Sequence, residues 1–171
     1  MNIVLIGYRG TGKSTVGKVL ARRLGRDLLS TDTEVVKRAK LSIPELVQRH
    51  GWDYFRDMES TVCRDLAGRD QVIIDTGGGA ILRPENVDAL RKSGQLYWLT
   101  ASVETISRRI GHDTQRPSLT GGKSFIEEIR DVLAERMLTY QAAADCTIVT
   151  EGLTVNQVAE SILRIISSPS C

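Results

Sequence analysis

Hydrophobic residues along this chain alternate between short continuous runs and stretches with helical spacing. Five apolar runs, at about 2–6, 28–29, 72–75, 95–100 and 146–149, are typical of strands buried on both faces of a sheet. Between the runs, apolar residues recur every three or four positions, which predicts amphipathic helices. Strands that alternate with helices form parallel βαβ units. The pattern therefore predicts an α/β protein with three layers, a central parallel sheet of about five strands and helices on both faces.

Capping residues and glycines mark where these helices begin and end. Asp32 is a candidate N-cap for a helix through about Arg38, and Ser42, with Pro44 after it, is a candidate for another. Further helices are expected at about 16–24, 52–67, 84–92, 102–110, 124–144 and 154–166. Residues 111–124 contain three glycines and one proline and few apolar side chains, which predicts a mobile loop or lid.

Composition and charge narrow the class of protein. The 171 residues are 41% hydrophobic and 26% charged, as in an ordinary globular domain, and the formal net charge of +2 is too small to indicate nucleic-acid binding. The three cysteines, an odd number without a CxxC pattern, argue against a disulfide framework. No apolar run approaches the roughly 18 residues of a membrane span. We expect a cytoplasmic protein with no nucleic-acid or membrane partner and, by default, a monomer.

A glycine-rich loop follows the first predicted strand. The segment GYRGTGKS at residues 7–14 fits the pattern GxxxxGK[ST] and leads into a predicted helix. Glycines allow successive backbone N–H groups to point at phosphate oxygens, and the helix adds its positive N-terminus. In this motif Lys13 reaches the β- and γ-phosphates of a nucleotide, and the Ser14 hydroxyl binds Mg²⁺. The sequence thus predicts binding of ATP and Mg²⁺ by Gly10, Thr11, Gly12, Lys13, Ser14 and Thr15, without identifying the phosphoryl acceptor.

Other candidate residues follow predicted strands at the same edge of the sheet, where ligands of parallel sheets bind. Asp32 is placed either to accept a proton from an alcohol that attacks the γ-phosphate, or simply to cap a helix. The three glycines at 77–79 indicate either a close approach of the backbone to a ligand or a flexible turn. Asp75 ends its strand where a carboxylate can hold Mg²⁺ through water. Arg116, in the predicted lid, is placed to stabilise charge on a transferred phosphoryl group.

Together these motifs resemble those of the shikimate kinases, a branch of the P-loop proteins similar to the nucleoside monophosphate kinases. The matching segments extend from residue 2 to about residue 166 and comprise GYRGTGKST at 7–15, TD at 31–32, SIPELVQRHGWDYFRDMES at 42–60, TGGGA at 76–80, QRP at 115–117 and ERMLTY at 135–140. The phosphate loop is shared by many families. The combination of FR at 55–56 with GGG, RP and the late Arg-x-x-x-Tyr is more specific.

The resemblance implies transfer of the γ-phosphoryl group of ATP to the 3-hydroxyl of shikimate, giving 3-phosphoshikimate and ADP, in chorismate and aromatic amino-acid biosynthesis. It implies one domain over residues 1–171, with a substrate-binding helical region at about 32–62 and a lid at about 111–124. Asp32, Lys13 and Arg116 would be catalytic, with Asp32 as the base. Shikimate would be bound by Asp32, Arg56, Gly77, Gly78, Gly79 and Arg136, with the two arginines on its carboxylate. Arg109 and Arg116 would contact the nucleotide, Arg109 over the adenine.

The chain departs from the family's pattern at two places. The family usually has Asp-x-Asp after the second strand, with the first Asp near the metal, whereas this chain has Ser30-Thr31-Asp32. Asp75 stands where many relatives have Ser, Thr or Ala, and we expect it to take over the water-mediated contact to Mg²⁺ beside Ser14. The family also often places a proline against the adenine, where this chain has Val155, which predicts looser packing there.

Two functions other than phosphorylation of shikimate are also compatible with the sequence. One is a P-loop kinase with another acceptor, such as gluconate or a nucleoside monophosphate, and the other is a nucleotide-binding regulatory module without catalysis. The paired arginines and the GGG segment favour a small carboxylated polyol, and an aromatic content of 5% is low for a base-binding pocket. The missing first Asp is the reason to keep the regulatory module, and the set of Lys13, Asp32 and Arg116 argues against it.

Overall fold

Strands and helices alternate through the residues that the computed structural model describes, which are 1–111 and 124–168. The strands are β1 (Asn2–Ile6), β2 (Leu28–Ser30), β3 (Ile73–Asp75), β4 (Gly94–Thr100) and β5 (Cys146–Val149). The α-helices are α1 (Lys13–Leu24), α2 (Thr31–Ala39), α3 (Ile43–Ala67), α4 (Pro84–Ser93), α5 (Val103–Ile110), α6 (Phe125–Ala143) and α7 (Val155–Ser167), and a 3₁₀ turn covers Ala80–Leu82. Arg116 and most of the predicted lid lie outside the described residues.

The five strands form one parallel sheet in the order β2-β3-β1-β4-β5. Successive residues of β1 point to opposite faces, so Val4 and Ile6 belong to one hydrophobic cluster while Ile3 and Leu5 belong to another. The first cluster includes residues of α3, α4 and α6, and the second includes residues of α1 and α7. The predicted three-layer α/β fold with a central parallel sheet is therefore confirmed. None of the described helices is long and apolar enough to cross a membrane.

The start of α2 differs from the prediction in a way that bears on function. Ser30, not Asp32, is the N-cap, and its hydroxyl accepts a hydrogen bond from the Thr33 N–H at 3.3 Å. The prediction of Asp32 as the cap is wrong because Ser30 is also a good capping residue and lies two positions earlier. Asp32 lies instead in the first turn of α2. Its carboxylate is therefore not used to begin the helix.

Two helices expected on either side of residue 51 are joined into one bent element, α3. Ser42 caps its start in a reciprocal capping box with Glu45. Gly51 interrupts the helical backbone with φ 85° and ψ 170°, a conformation that is essentially restricted to glycine. The bend separates the segment that begins at Ile43 from the longer one that carries Phe55 and Arg56.

Candidate active site

A cleft of about 740 Å³ lies at the carboxyl edge of the sheet, around the phosphate loop. Its lining includes Gly10, Thr11, Gly12, Lys13, Ser14, Thr15, Asp32, Asp75, Gly78, Arg109 and Val155. The structure thus brings together the described residues that the sequence assigned to ATP and Mg²⁺. Arg116, assigned to the same nucleotide, lies outside the described residues.

The phosphate loop is curled around the side chain of its own lysine. The Lys13 ammonium donates hydrogen bonds to the backbone carbonyl oxygens of Gly7 and Tyr8, at 2.8 and 3.0 Å. Gly10 and Gly12 have φ values of 78° and 98°, in the region that favours glycine, and a Cβ on Gly10 would lie 2.6 Å from the Ile110 side chain. The loop therefore needs glycine at these positions, and it holds the positive charge of Lys13 at the bottom of the cleft.

Arg109 ties the phosphate loop to the loop after β5. Its guanidinium donates to Thr150 Oγ1 at 2.9 Å, to the Thr150 carbonyl at 3.2 Å and to the Gly10 carbonyl at 3.4 Å. The next residue, Glu151, accepts hydrogen bonds from Ser102 and Thr105, and these bonds hold the pKa of its carboxyl below the ordinary value. These contacts fix the loop that leads to Val155 against the nucleotide end of the cleft.

A second, narrower cavity of about 40 Å³ adjoins the cleft. It is lined by Tyr8, Arg9, Ile43, Trp52, Phe55, Arg56, Glu59, Gly78, Gly79 and Arg136. Arg9 and Gly78 line both cavities, so the two meet at these residues. Arg56 and Arg136, to which the family resemblance gives the substrate carboxylate, are therefore together in one pocket beside the phosphate loop.

Arg56 is held by an acid on its own helix, and Arg136 by the backbone of Gly78. The Arg56 guanidinium forms an ion pair of 2.5 Å with Glu59, whose side chain is 1% exposed, and lies 5.2 Å from the centre of the Phe55 ring. Burial raises the pKa of Glu59, and the guanidinium of Arg56 opposes that rise. Arg136 donates to the Gly78 carbonyl at 3.3 Å, and the Tyr140 hydroxyl donates to the same oxygen at 2.5 Å.

The three consecutive glycines pack closely against these charged groups. A Cβ on Gly77 would lie 2.6 Å from an oxygen of Asp32 and 2.6 Å from an oxygen of Glu59, and one on Gly79 would overlap the Arg56 guanidinium. Gly78 has space at its Cβ position but lines both cavities. Close approach, rather than flexibility, therefore explains the glycines at 77 and 79. At 77 and 79 the approach is to the protein's own side chains, and neither cavity's lining includes Gly77.

Ser14 and Asp75 form a pair of oxygen donors in the cleft. The Ser14 hydroxyl donates to Asp75 Oδ2 at 2.5 Å, and Asp75 is only 6% exposed. In the sheet register Ser30 of β2 lies beside Asp75 of β3. A hydroxyl and a carboxylate suit Mg²⁺, which binds few protein ligands and is completed by substrate phosphates and water. Among residues 1–111 and 124–168 there is no cluster of three or more His, Cys, Asp or Glu that would hold a metal by itself.

Glu59 and Tyr140 are parts of the site to which the sequence analysis gave no role. Glu59 lies three residues after Arg56 and Tyr140 four residues after Arg136, so each shares a helix face with its arginine. That spacing is the signal from which the two contacts could have been found. Thr31 was also missed, and its hydroxyl accepts a hydrogen bond from the Gly77 N–H at 2.8 Å.

The phosphate loop lies between the first strand of a parallel sheet and the first helix, and it faces a carboxylate and a pair of arginines. This arrangement defines a P-loop kinase for small molecules. The family model of shikimate kinase matches residues 9–167. The chain belongs to the shikimate kinase family, and it is an ATP-dependent kinase of the P-loop type. The prediction of family and enzyme class is thereby confirmed.

Several known proteins that resemble this chain in sequence or structure are shikimate kinases. A shikimate kinase of Nitratidesulfovibrio vulgaris is 48% identical over 83% of this chain and 82% of its own length. A shikimate kinase of Syntrophus aciditrophicus is 41% identical over 95% of this chain and 89% of its own. The structure of shikimate kinase from Acinetobacter baumannii in complex with shikimate is 34% identical, with a TM-score of 0.93 over 99% of this chain and 94% of that one. A gluconokinase from Sinorhizobium meliloti, at 17% identity and a TM-score of 0.61, shares the fold alone.

Proposed function

We propose that this protein transfers the γ-phosphoryl group of ATP to the 3-hydroxyl of shikimate, giving 3-phosphoshikimate and ADP. The observation that carries the proposal is the pocket of Arg56 and Arg136, which adjoins the phosphate-loop cleft at Gly78. It is supported by family membership and by the Acinetobacter baumannii relative, which was solved with shikimate bound.

The two arginines are suited to hold the carboxylate of the acceptor. A guanidinium presents a planar fork of N–H donors that matches a carboxylate. Glu59 and the aromatic rings of Trp52 and Phe55 hold the guanidinium of Arg56 in one orientation, and Arg136 is 9% exposed. Binding at the carboxylate end positions the rest of the ring near Gly78, where the pocket meets the cleft.

We assign the role of the base to Asp32. It lies in the first turn of α2, lines the nucleotide cleft and packs against Gly77. In the proposed step its carboxylate accepts the proton of the acceptor hydroxyl while that oxygen bonds to the γ-phosphorus. The bond from the γ-phosphorus to the bridging oxygen breaks, and ADP leaves with that electron pair. Lys13 neutralises charge on the phosphates, and the same role for Arg116 stays a prediction.

Ser14 and Asp75 are the residues that would hold Mg²⁺. When bound, the ion offsets the negative charge of the phosphate oxygens. Ser30 and Asp75 are register partners on adjacent strands, which supports the proposal that the carboxylate of Asp75 replaces the one that this family usually has at position 30. Asp75→Asn should raise the Mg²⁺ concentration required for half-maximal activity.

A second substitution makes the Asp75 test specific. Ser30→Asp restores the usual Asp-x-Asp and preserves an N-capping side chain for α2. Combined with Asp75→Asn, it should return the Mg²⁺ dependence toward that of the wild type. A Mg²⁺ dependence that neither substitution changes would show that Asp75 takes no part in metal binding.

The function itself is tested by ADP release from ATP and Mg²⁺ with shikimate, gluconate or a nucleoside monophosphate as acceptor. Stimulation by shikimate alone is the expected result. Stimulation by another acceptor would replace shikimate in the proposal. ATP binding without stimulation by any acceptor would identify a regulatory module. We propose a monomer as the catalytic unit.

A further inference from the structure

Arg9 occupies a position of the phosphate loop that the GxxxxGK[ST] pattern leaves unspecified. The cleft around the phosphate loop is called the nucleotide cleft here, and the smaller cavity that contains Arg56 and Arg136 is called the acceptor pocket. Of all described residues, only Arg9 and Gly78 line both. They also approach each other, since a Cβ on Gly78 would lie 3.5 Å from the Arg9 backbone nitrogen. A phosphoryl group that moves from one cavity to the other must pass this boundary.

Among the described residues, the side chain of Arg9 lies against aromatic rings and forms no ion pair. Its guanidinium carbon lies 5.6 Å from the centre of the Phe125 ring, at the start of α6, and 6.0 Å from that of Tyr8. Both distances are within the range of cation–π attraction. Within residues 1–111 and 124–168 Arg9 forms no salt bridge, whereas Arg56 pairs with Glu59.

One donor of this guanidinium has no partner in the described part of the chain. The Nε atom of Arg9 is buried and makes no hydrogen bond to any residue of that part. A buried N–H group without an acceptor costs free energy, and native proteins usually supply a partner. An anionic oxygen brought to the boundary by a ligand would supply it and would match the positive charge.

We infer that Arg9 binds the transferred phosphoryl group on its acceptor side and then the phosphate ester of the product, an inference that rests on the proposed function. Its contribution differs from that of Arg56 and Arg136. Those two bind a carboxylate that substrate and product share, whereas the acceptor hydroxyl is neutral before the transfer and carries phosphate after it. Arg9 therefore distinguishes the product and the transition state from the bound substrate.

The inference is tested by measuring the affinities of shikimate and 3-phosphoshikimate by calorimetry, for the wild type and for Arg9→Met. Methionine retains the long aliphatic part of the side chain and removes the charge. Loss of a charge-assisted contact should weaken product binding by about 10- to 100-fold and lower kcat, with shikimate affinity changed less than about twofold. Arg9→Lys should recover part of the loss. Arg22→Met, on the exposed side of α1 and outside both cavities, is the matched control.

A second variant removes a contact of the Arg9 side chain without changing the phosphate loop. Phe125→Leu removes the ring against the guanidinium and should give the same selective loss of product affinity, to a smaller extent. It replaces Arg9→Met as the test if the latter does not fold. Equal losses for shikimate and product, or an unchanged affinity for product, would overturn the inference. Failure of the wild type to bind shikimate at all would instead overturn the proposed function.

Discussion

The backbone of Gly77 lies close to two carboxylates, those of Asp32 and Glu59. A side chain there would collide with oxygens of both Asp32 and Glu59, each 2.6 Å from the Cβ position. The Gly77 N–H also donates to the Thr31 hydroxyl at 2.8 Å, which joins the loop after β3 to the first turn of α2. Asp32 and Glu59 are thus acids on different helices, α2 and α3, that approach each other through the backbone of Gly77.

Asp32→Asn should lower kcat by about 100- to 10,000-fold, the usual range for loss of a positioned base, because an amide cannot take the proton of the acceptor. ATP affinity should change little, since the phosphate loop is untouched. Steady-state kinetics with an ATP-binding measurement checks both. Asp53→Asn, an exposed acid on α3, is the control. Turnover near the wild-type rate would remove Asp32 from the role of base.

Glu59→Gln should raise the KM for shikimate by about tenfold or more and affect kcat less, because Arg56 loses the buried charge that orients it. A second effect would lower the KM, because Glu59 and the substrate carboxylate compete for the guanidinium of Arg56. Without the Glu59 charge, that guanidinium is free to bind the substrate. We expect orientation to dominate because the Glu59 side chain is only 1% exposed. Kinetics at saturating ATP measures the change, with Glu135→Gln, exposed and next to Arg136, as control. A lower KM would show that competition dominates.

At the scale of helices and strands, the order of elements follows from the sequence, whereas some of the contacts between them do not. Continuous apolar runs separated by helical spacing predicted the parallel sheet, and the rule that ligands bind beyond its carboxyl edge placed Asp32 and Asp75 near the phosphate loop. The register of Ser30 beside Asp75 could not be predicted, because it depends on how two strands distant in sequence align. The same limit applies to the start of α2, where Ser30 and Asp32 are both acceptable caps.

The bend in α3 depends on Gly51, whose backbone conformation other residues rarely adopt. No atom of the described residues lies within 4 Å of its Cβ position, so the cost of Gly51→Ala comes from the backbone and not from a clash. We expect the substitution to lower the free energy of unfolding by about 1–3 kcal/mol, measured by urea denaturation. It should also raise the KM for shikimate, since Ile43 and Trp52, on either side of the bend, line the acceptor pocket.

Arg49→Ala is the matched control for the bend, since Arg49 is exposed and lies two residues earlier in α3. It should leave both stability and KM close to the wild-type values. If Gly51→Ala behaved in the same way, the bend would not be a requirement of the sequence, and a straight α3 would be compatible with substrate binding.

At the scale of the whole molecule, burial of weak acids predicts how stability depends on pH. Burial raises the pKa of the Cys63 thiol and of the Tyr97 hydroxyl, each to about 12, and raises that of Tyr140 as well. In the unfolded chain a cysteine loses its proton near pH 8.5 and a tyrosine near pH 10. Above those values the unfolded state binds fewer protons than the folded state, so the free energy of unfolding falls as the pH rises.

The contribution of Cys63 to this pH dependence can be separated from that of the tyrosines, because in the unfolded chain a cysteine loses its proton at a lower pH than a tyrosine does. Above pH 8.5 its contribution is a loss of about 1.4 kcal/mol for each pH unit, until the folded thiol itself ionises. Between pH 8 and pH 10 the wild type should therefore lose about 1–2 kcal/mol more than Cys63→Ala, measured by urea denaturation with a non-thiol reductant present. Cys63→Ser, which cannot titrate either, controls for the cavity left by alanine. Parallel pH profiles for all three proteins would mean that Cys63 ionises in the folded state as readily as in the unfolded chain, which its position in the core at 0% exposure argues against.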